Sequence, residues 1–252
     1  MSHTVRIVGG GRAGTAFAAA LADAGWSVAG VMGRDDPIER AAERVELVLV
    51  AVADRSVGEV ARRITPRSDA VIAHVAGSLG LGVLAPHGQR AAVHPLVAIP
   101  PPPFGARRLR GAWFAVAGST DPARSLAAEV VAALGGSKVD VADERRTEYH
   151  AAACIASNHL VALLGQVERI AASAGVPFAA YLDLVRSTVD SVVELGPADA
   201  LTGPVARGDW PTVAAHLAAL DPTERSAYDA LARQARRLVD PAFDPIGVPP
   251  WS

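Results

Sequence analysis

Residues 4–33, TVRIVGGGRAGTAFAAALADAGWSVAGVMG, constrain the fold more than any other stretch of the chain. VRIV is a β-branched run and reads as a strand, and glycines follow it at once. AGTAFAAALADAG then reads as a helix closed by Gly25, and SVAGVMG as a second strand. Gly9, Gly11 and Gly14 fit G-x-G-x-x-G at the junction of strand and helix. Gly9 allows the tight turn, Gly11 lets the backbone approach a pyrophosphate, and Gly14 lets the helix pack close to the strand. The phosphates are expected at the start of that helix, at Arg12 and Ala13, where free N–H groups and the dipole favour anions. The glycine pattern alone is a weak signal, but its strand–turn–helix–strand setting makes it specific for dinucleotide binding. The alternatives are the same unit without a ligand, or a methyltransferase, which shares this first unit.

The pattern continues. VELVLVAVAD, DAVIAHVAGSLG, AAVHPLVAI, AWFAVAG and SKVDVAD read as further strands, with DPARSLAAEVVAALGG a helix before the last. The expected architecture is an α/β Rossmann-type doubly wound domain over residues 1–142. Such sheets bind ligands beyond the carboxyl ends of their strands. Ala53 and Asp54 are therefore assigned to the cofactor, and Ser78 and His94 to the substrate beside the nicotinamide. The plainer readings are a turn serine and a core histidine. PPPPFGARRLRG, between two of these strands, reads either as a cover over the site or as a solvated linker, and the linker is the expectation.

An NAD site normally has an acidic residue at the end of the second strand. Here Met32 and Gly33 occupy that end, followed by Arg34, and Arg12 lies in the glycine loop. Two guanidiniums suit a ribose 2′-phosphate, so NADP is expected rather than NAD. Asp35 and Asp36 argue the other way.

Net charge is −2, which gives no basic field for nucleic acid or an anionic membrane. Cys154 is the only cysteine, which excludes an internal disulfide and suits a reducing cytoplasm. No apolar run reaches the ~20 residues of a membrane span, and no leader precedes the first strand. The chain is expected to be cytoplasmic. No histidine or carboxylate spacing suggests a metal. Lys138 is the only lysine and sits before a strand, which argues against lysine catalysis.

From Asp143 the strand signals stop, and residues 143–252 read as an all-α domain. DERRTEYHAAACIASNHLVALLGQVERIAASAG reads as one helix of about 32 residues, roughly 48 Å long. Packing of that length calls for a second subunit. His150, Cys154 and the chain's only asparagine, Asn158, stand four residues apart and would share one stripe. PFAAYLDLVRSTVDSVVELG, GDWPTVAAHLAAL and DPTERSAYDALARQARRLVD are the next helices, with Asp209 a cap; the tail from Pro241 holds too much proline for another.

A Rossmann-type unit followed by helices that open with a long one resembles the 6-phosphogluconate dehydrogenase-like superfamily, which includes ketopantoate reductase and pyrroline-5-carboxylate reductase. HPLVAI, ASNHLVALLGQ and ALTGPVARGDWPTVAAHLAAL resemble one branch of it, whose helical domain is classed as a domain of unknown function. In the superfamily's reductases the long helix often carries a lysine with asparagines one and two turns on. By that resemblance His150 stands at the lysine position, Cys154 at the first asparagine and Asn158 at the second. The resemblance implies hydride transfer from NADPH to a small ketone or imine. His150 would be proton donor or polariser, Asn158 would orient the substrate, and Thr202 and Arg207 would contact it. It also implies a homodimer through the helical domain. The competing reading is a catalytically silent NADP-binding sensor or assembly protein, because the lysine is missing.

Overall fold

The computed structural model describes residues 3–244 and 246. The sequence reading of the tail as non-helical therefore falls largely outside the described residues. The strands are β1 (Thr4–Val8), β2 (Ser27–Met32), β3 (Leu47–Val50), β4 (Val71–His74), β5 (Arg90–Pro95), β6 (Trp113–Gly118) and β7 (Ser137–Asp140). They form one sheet in the order β2-β1-β3-β4-β5-β6-β7, parallel throughout except where β6 pairs antiparallel with β5. Every strand lies in a segment that its β-branched content marked. The doubly wound α/β class is as expected.

β3 and β4 are buried at every position, as expected of central strands covered on both faces. Alternate residues serve opposite cores. Leu47 and Leu49 join Ile7, Phe17, Leu21, Phe114 and Val130 on one face, under helices α1 (Arg12–Asp23) and α4 (Asp121–Ala133). Val48 and Val50 join Ile72, Val57, Ala61 and Ile64 on the other, under α2 (Asp54–Arg63). Phe17 and Phe114 meet edge-on with centroids 6.4 Å apart, and each buried ring contributes on the order of 2–3 kcal/mol.

The proline-arginine segment is not a linker. Its Gly105–Leu109 stretch forms a short helix, α3, with Leu109 fully buried. A β-carbon at Gly105 would stand 3.1 Å from that of Ala16, so α3 lies directly against α1. Burial of Leu109 outweighs the polar look of the stretch.

The single long helix is also interrupted. A 3-10 turn at Asp143–Arg145 leads into α5 (Arg146–Cys154), a π turn at Ile155–His159, and α6 (Leu160–Ser173). Compact units divide within that turn, as Met1–Ser157 and Asn158–Ser252, whereas the sequence reading put the boundary at 142. The reason is local: α5 packs with the sheet, since the Leu81 N–H donates to Asp143 (2.8 Å) and Tyr149 bonds His94.

The second unit holds α6, α7 (Ala179–Leu195), α8 (Trp210–Ala219) and α9 (Pro222–Val239). Asp209 and Asp221 cap α8 and α9 by accepting from Thr212 N–H (3.2 Å) and Thr223 N–H (2.8 Å). Each cap is worth about 1 kcal/mol. Val205, Val213 and Ala232 form its small buried core. Among the described residues no helix is long and apolar enough to cross a membrane.

Candidate active site

The strand order reverses between β1 and β3, and a doubly wound sheet binds its ligand in the crevice at that point. Gly9 ends β1 there with φ +118°, and its N–H donates to Met32 O at 2.8 Å. A β-carbon on Gly9 would overlap the Ala51 carbonyl at the end of β3, and one on Gly14 would overlap the Gly9 carbonyl. Strand, loop and helix thus meet backbone to backbone. Gly11 differs: it is exposed, and nothing lies near where its β-carbon would stand. It caps α1 with no side-chain acceptor, which leaves the first N–H groups of the helix, from Arg12 and Ala13 onward, open to an anion. Arg34 is exposed just beyond β2. Asp36 accepts the Gly33 N–H at 2.6 Å, so this carboxylate is engaged in closing the turn.

A second cluster stands at the carboxyl ends of the next strands. Ala53 opens α2, and the first residue of that helix, Asp54, accepts the Ser78 hydroxyl at 3.1 Å, joining the turns after β3 and β4. His94 on β5 shares a 2.8 Å hydrogen bond between its Nδ1 and the Tyr149 hydroxyl of α5. The His94 and His150 rings are 6.0 Å apart at 75°. Gly77 fits between them: a β-carbon there would lie 2.6 Å from His150 Cδ2 and 2.8 Å from His94 Nε2. Burial, then the neighbouring His150 and Arg146, push His94 down to about 4, so its ring is neutral at pH 7. Burial raises Tyr149 above the usual phenol value, which keeps its proton in place.

Beneath this pair, His74 at the end of β4 is fully buried. Neither ring nitrogen meets hydrogen-bond geometry, although the Gly80 backbone lies near enough to favour the charged form slightly. Burial first and Arg146 second push His74 down to about 4 as well.

The structure brings Asp54, Ser78, His94 and His150 into one unit with the glycine loop. It does not extend the stripe as the sequence suggested. His150 and Cys154 stay in contact, with Sγ 3.9 Å from Nδ1, but Asn158 falls inside the π turn. A π turn spaces its bonds five residues apart, so four residues no longer complete a turn. Asn158 is exposed and belongs to the second unit, as do Thr202 and Arg207, both exposed between α7 and α8. Tyr149, Arg146 and Gly77 escaped the sequence reading. Arg146 stands four residues before His150, on the same face of α5, but nothing in the local sequence marks it as buried.

Residues 112–235 match the model of a domain of unknown function, DUF2520, and residues 34–101 that of a Rossmann-like domain. No curated protein matches the sequence. Among solved structures, BF3122 of Bacteroides fragilis, described as a candidate NADP oxidoreductase, is similar at TM-score 0.80 and 21% identity, covering 94% of this chain and 98% of its own. TM1727 of Thermotoga maritima is similar at TM-score 0.75 and 24% identity, over 94% of this chain and 99% of its own. A reductive aminase of Aspergillus terreus, in complex with NADPH and ethyl-5-oxohexanoate, is similar at TM-score 0.69 and 15% identity, over 97% of both chains.

Proposed function

The chain joins a Rossmann-like domain to a DUF2520 domain, the two-part build of the 6-phosphogluconate dehydrogenase-like superfamily, and from that build we propose that it is an NADPH-dependent reductase of a small ketone or imine. One observation carries the reading: His94, bonded to Tyr149, and His150 converge on Gly77 at the carboxyl ends of β4 and β5, in the same unit as an anion-ready glycine loop. The similarity to oxidoreductases and to an NADPH-bound aminase supports it.

NADPH, when bound, supplies the hydride. The N–H groups after Gly11 would hold its pyrophosphate, and Arg34, with Asp36 engaged in its own turn, would hold its 2′-phosphate. His150 would donate the proton to the substrate's oxygen or nitrogen, neutralising the negative charge that develops there. His94, neutral and bonded to Tyr149, holds that side of the pocket in one protonation state.

The test is a fluorescence titration with NADPH and NADH, followed by turnover assays on carbonyl and imine panels. NADPH is expected to bind in the micromolar range or tighter, and NADH more weakly. His150→Ala is expected to lower turnover by about 10²- to 10⁴-fold with NADPH affinity unchanged. Binding without turnover across the panels would favour a silent NADP sensor. No binding of either nucleotide would overturn both readings.

We also propose a homodimer through the helical unit. α7 buries none of its residues, and Leu184 is 61% and Val193 80% exposed, with Val189 and Leu195 exposed as well. With Val192, five large apolar side chains are left in water on one helix, and they mark a surface that a partner covers. Sedimentation is expected to give twice the 25.9 kDa of one chain. Val193→Glu together with Leu184→Asp is expected to shift it to monomer; a wild-type protein that is monomeric at tens of micromolar would remove the proposal.

A further inference from the structure

His94 stands near the end of β5, opposite Ala115 of β6, with its ring half-buried. One ring nitrogen is taken: the Tyr149 hydroxyl lies 2.8 Å from Nδ1, and the two rings meet edge-on at 89°. The other is not. Nε2 has no hydrogen-bond partner among the described residues, yet it is not sealed in the core as both ring nitrogens of His74 are. Its edge of the ring faces the turn after β4, where a β-carbon on Gly77 would stand 2.8 Å from Nε2 and 2.9 Å from Cε1. His150 Cδ2 borders the same point at 2.6 Å.

The bond at Nδ1 decides what Nε2 can offer. A phenol O–H is a stronger acid than a neutral imidazole N–H, and an imidazole nitrogen is a stronger base than a phenol oxygen. The proton between the two rings therefore stays on Tyr149 and points at Nδ1, whose lone pair accepts it. Tyr149 makes no second hydrogen bond among the described residues that would turn its hydroxyl away. A neutral ring with an acceptor at Nδ1 carries its own proton on Nε2. We propose that His94 is a substrate-contacting hydrogen-bond donor, whose Nε2–H donates to a carbonyl oxygen, and that Tyr149 is the positioning residue that keeps the proton on that nitrogen.

The same arrangement narrows the substrate class. In the Gly77 turn the Ser78 hydroxyl is spent on Asp54 at 3.1 Å, which leaves Nε2–H, beside His150, as the donor at this point. A carbonyl oxygen has lone pairs for such a donor, and the charge that grows on it during reduction strengthens the bond. An iminium nitrogen carries a proton and a positive charge and has no lone pair to accept with. Ketones and aldehydes are therefore the substrates that fit this edge. As the carbonyl carbon takes up the hydride of NADPH, the π pair moves to oxygen. His150 supplies the proton that makes the alcohol, and His94 keeps its own.

The role toward substrate rests on the reading of this cluster as the active site, whereas the position of the ring proton does not. Nuclear magnetic resonance of the full chain with nitrogen-15-labelled histidine, at pH 8 and without nucleotide or substrate, distinguishes a protonated ring nitrogen from a bare one. With His94 assigned by its loss in His94→Gln, the ring is expected to show Nε2 protonated and Nδ1 bare, and Tyr149→Phe to admit the opposite tautomer. A protonated Nδ1 in the wild type, or the same tautomer in Tyr149→Phe, would overturn the part given to Tyr149. In turnover of ketones, His94→Leu is expected to lower kcat by about 10²- to 10³-fold with NADPH affinity unchanged. His94→Gln, which keeps an N–H close to the place of Nε2, is expected to recover most of that loss. Equal loss in the two variants, or a wild type that reduces imines and no ketone, would remove the donor role and leave the reductase reading standing. A wild type without turnover on either panel would end the reductase reading and the donor role together.

Discussion

Gly77→Ala is expected to reduce turnover about 100-fold while NADPH affinity stays close to wild type. The added methyl would stand 2.6 Å from His150 Cδ2 and 2.9 Å from His94 Cε1, well inside normal contact. Gly77 has no positive φ, so its backbone accepts alanine without strain, and the whole effect falls on the two rings. Tyr149 holds His94 at 2.8 Å, and His150 is flanked by the His94 ring and by Cys154 Sγ at 3.9 Å. Relieving the overlap displaces one ring by a substantial fraction of an ångström, enough to misalign a proton transfer. Overpacking of this kind costs about 1–3 kcal/mol of stability, visible as a drop of a few degrees in Tm. The glycine loop is untouched, so cofactor binding is the internal control. Full turnover in Gly77→Ala would show that the reaction happens somewhere other than between these histidines. Gly14→Ala makes the contrast: there the new methyl meets backbone, which cannot rotate away.

Acid is expected to weaken the fold steeply between pH 6.5 and pH 4. His74 and His94 are both held near 4 by burial first, with Arg146 and, for His94, His150 adding to it. In the unfolded chain each titrates near 6.5, so across this window the unfolded state binds protons that the folded state refuses. Stability present above pH 6.5 is therefore lost as pH falls towards 4. A histidine depressed by that much contributes on the order of 3 kcal/mol, an upper bound for the less enclosed His94. Set against a typical domain stability of about 5–15 kcal/mol, two such groups decide whether the first unit survives at pH 4. Glu46 and Glu224, held low by the Thr4 N–H and by Arg169 respectively, extend the loss below pH 4.5. Urea unfolding at pH 7, 5.5 and 4 measures the slope. His74→Asn, which carries no titrating ring, is expected to flatten it by about one proton; an unchanged slope would mean that His74 is charged in the folded state.

The sheet was legible because each strand is a run of β-branched and apolar residues bounded by turns, and the glycine loop because its function requires glycines at fixed offsets. α2 escaped the sequence reading although Val57, Val60, Ala61 and Ile64 stand at the i, i+3, i+4, i+7 spacing of a half-buried helix, because Arg55, Glu59, Arg62 and Arg63 on the other face dominate the composition. The π turn has no compositional mark, since IASNH is ordinary helix sequence, and it is there that the expected stripe loses its register. Arg146 was hidden for another reason. An arginine at a helix start normally points to water, and what buries this one includes a turn held by Asp143 across 62 residues of sequence. Contacts at that separation decided where this charge is buried, and no local pattern announces them.

The last strand, β7, lies at the outer edge of the sheet with all four of its residues exposed. An open edge offers unpaired peptide groups to any extended chain nearby, and charged side chains along it are a common defence against such addition. Lys138 and Asp140 stand on this edge 3.7 Å apart, and Lys138 is the chain's single lysine. The one side-chain amine that acylating reagents can reach therefore belongs to the guard of this edge, and a protein coupled through it would lose a positive charge from the strand most open to self-association.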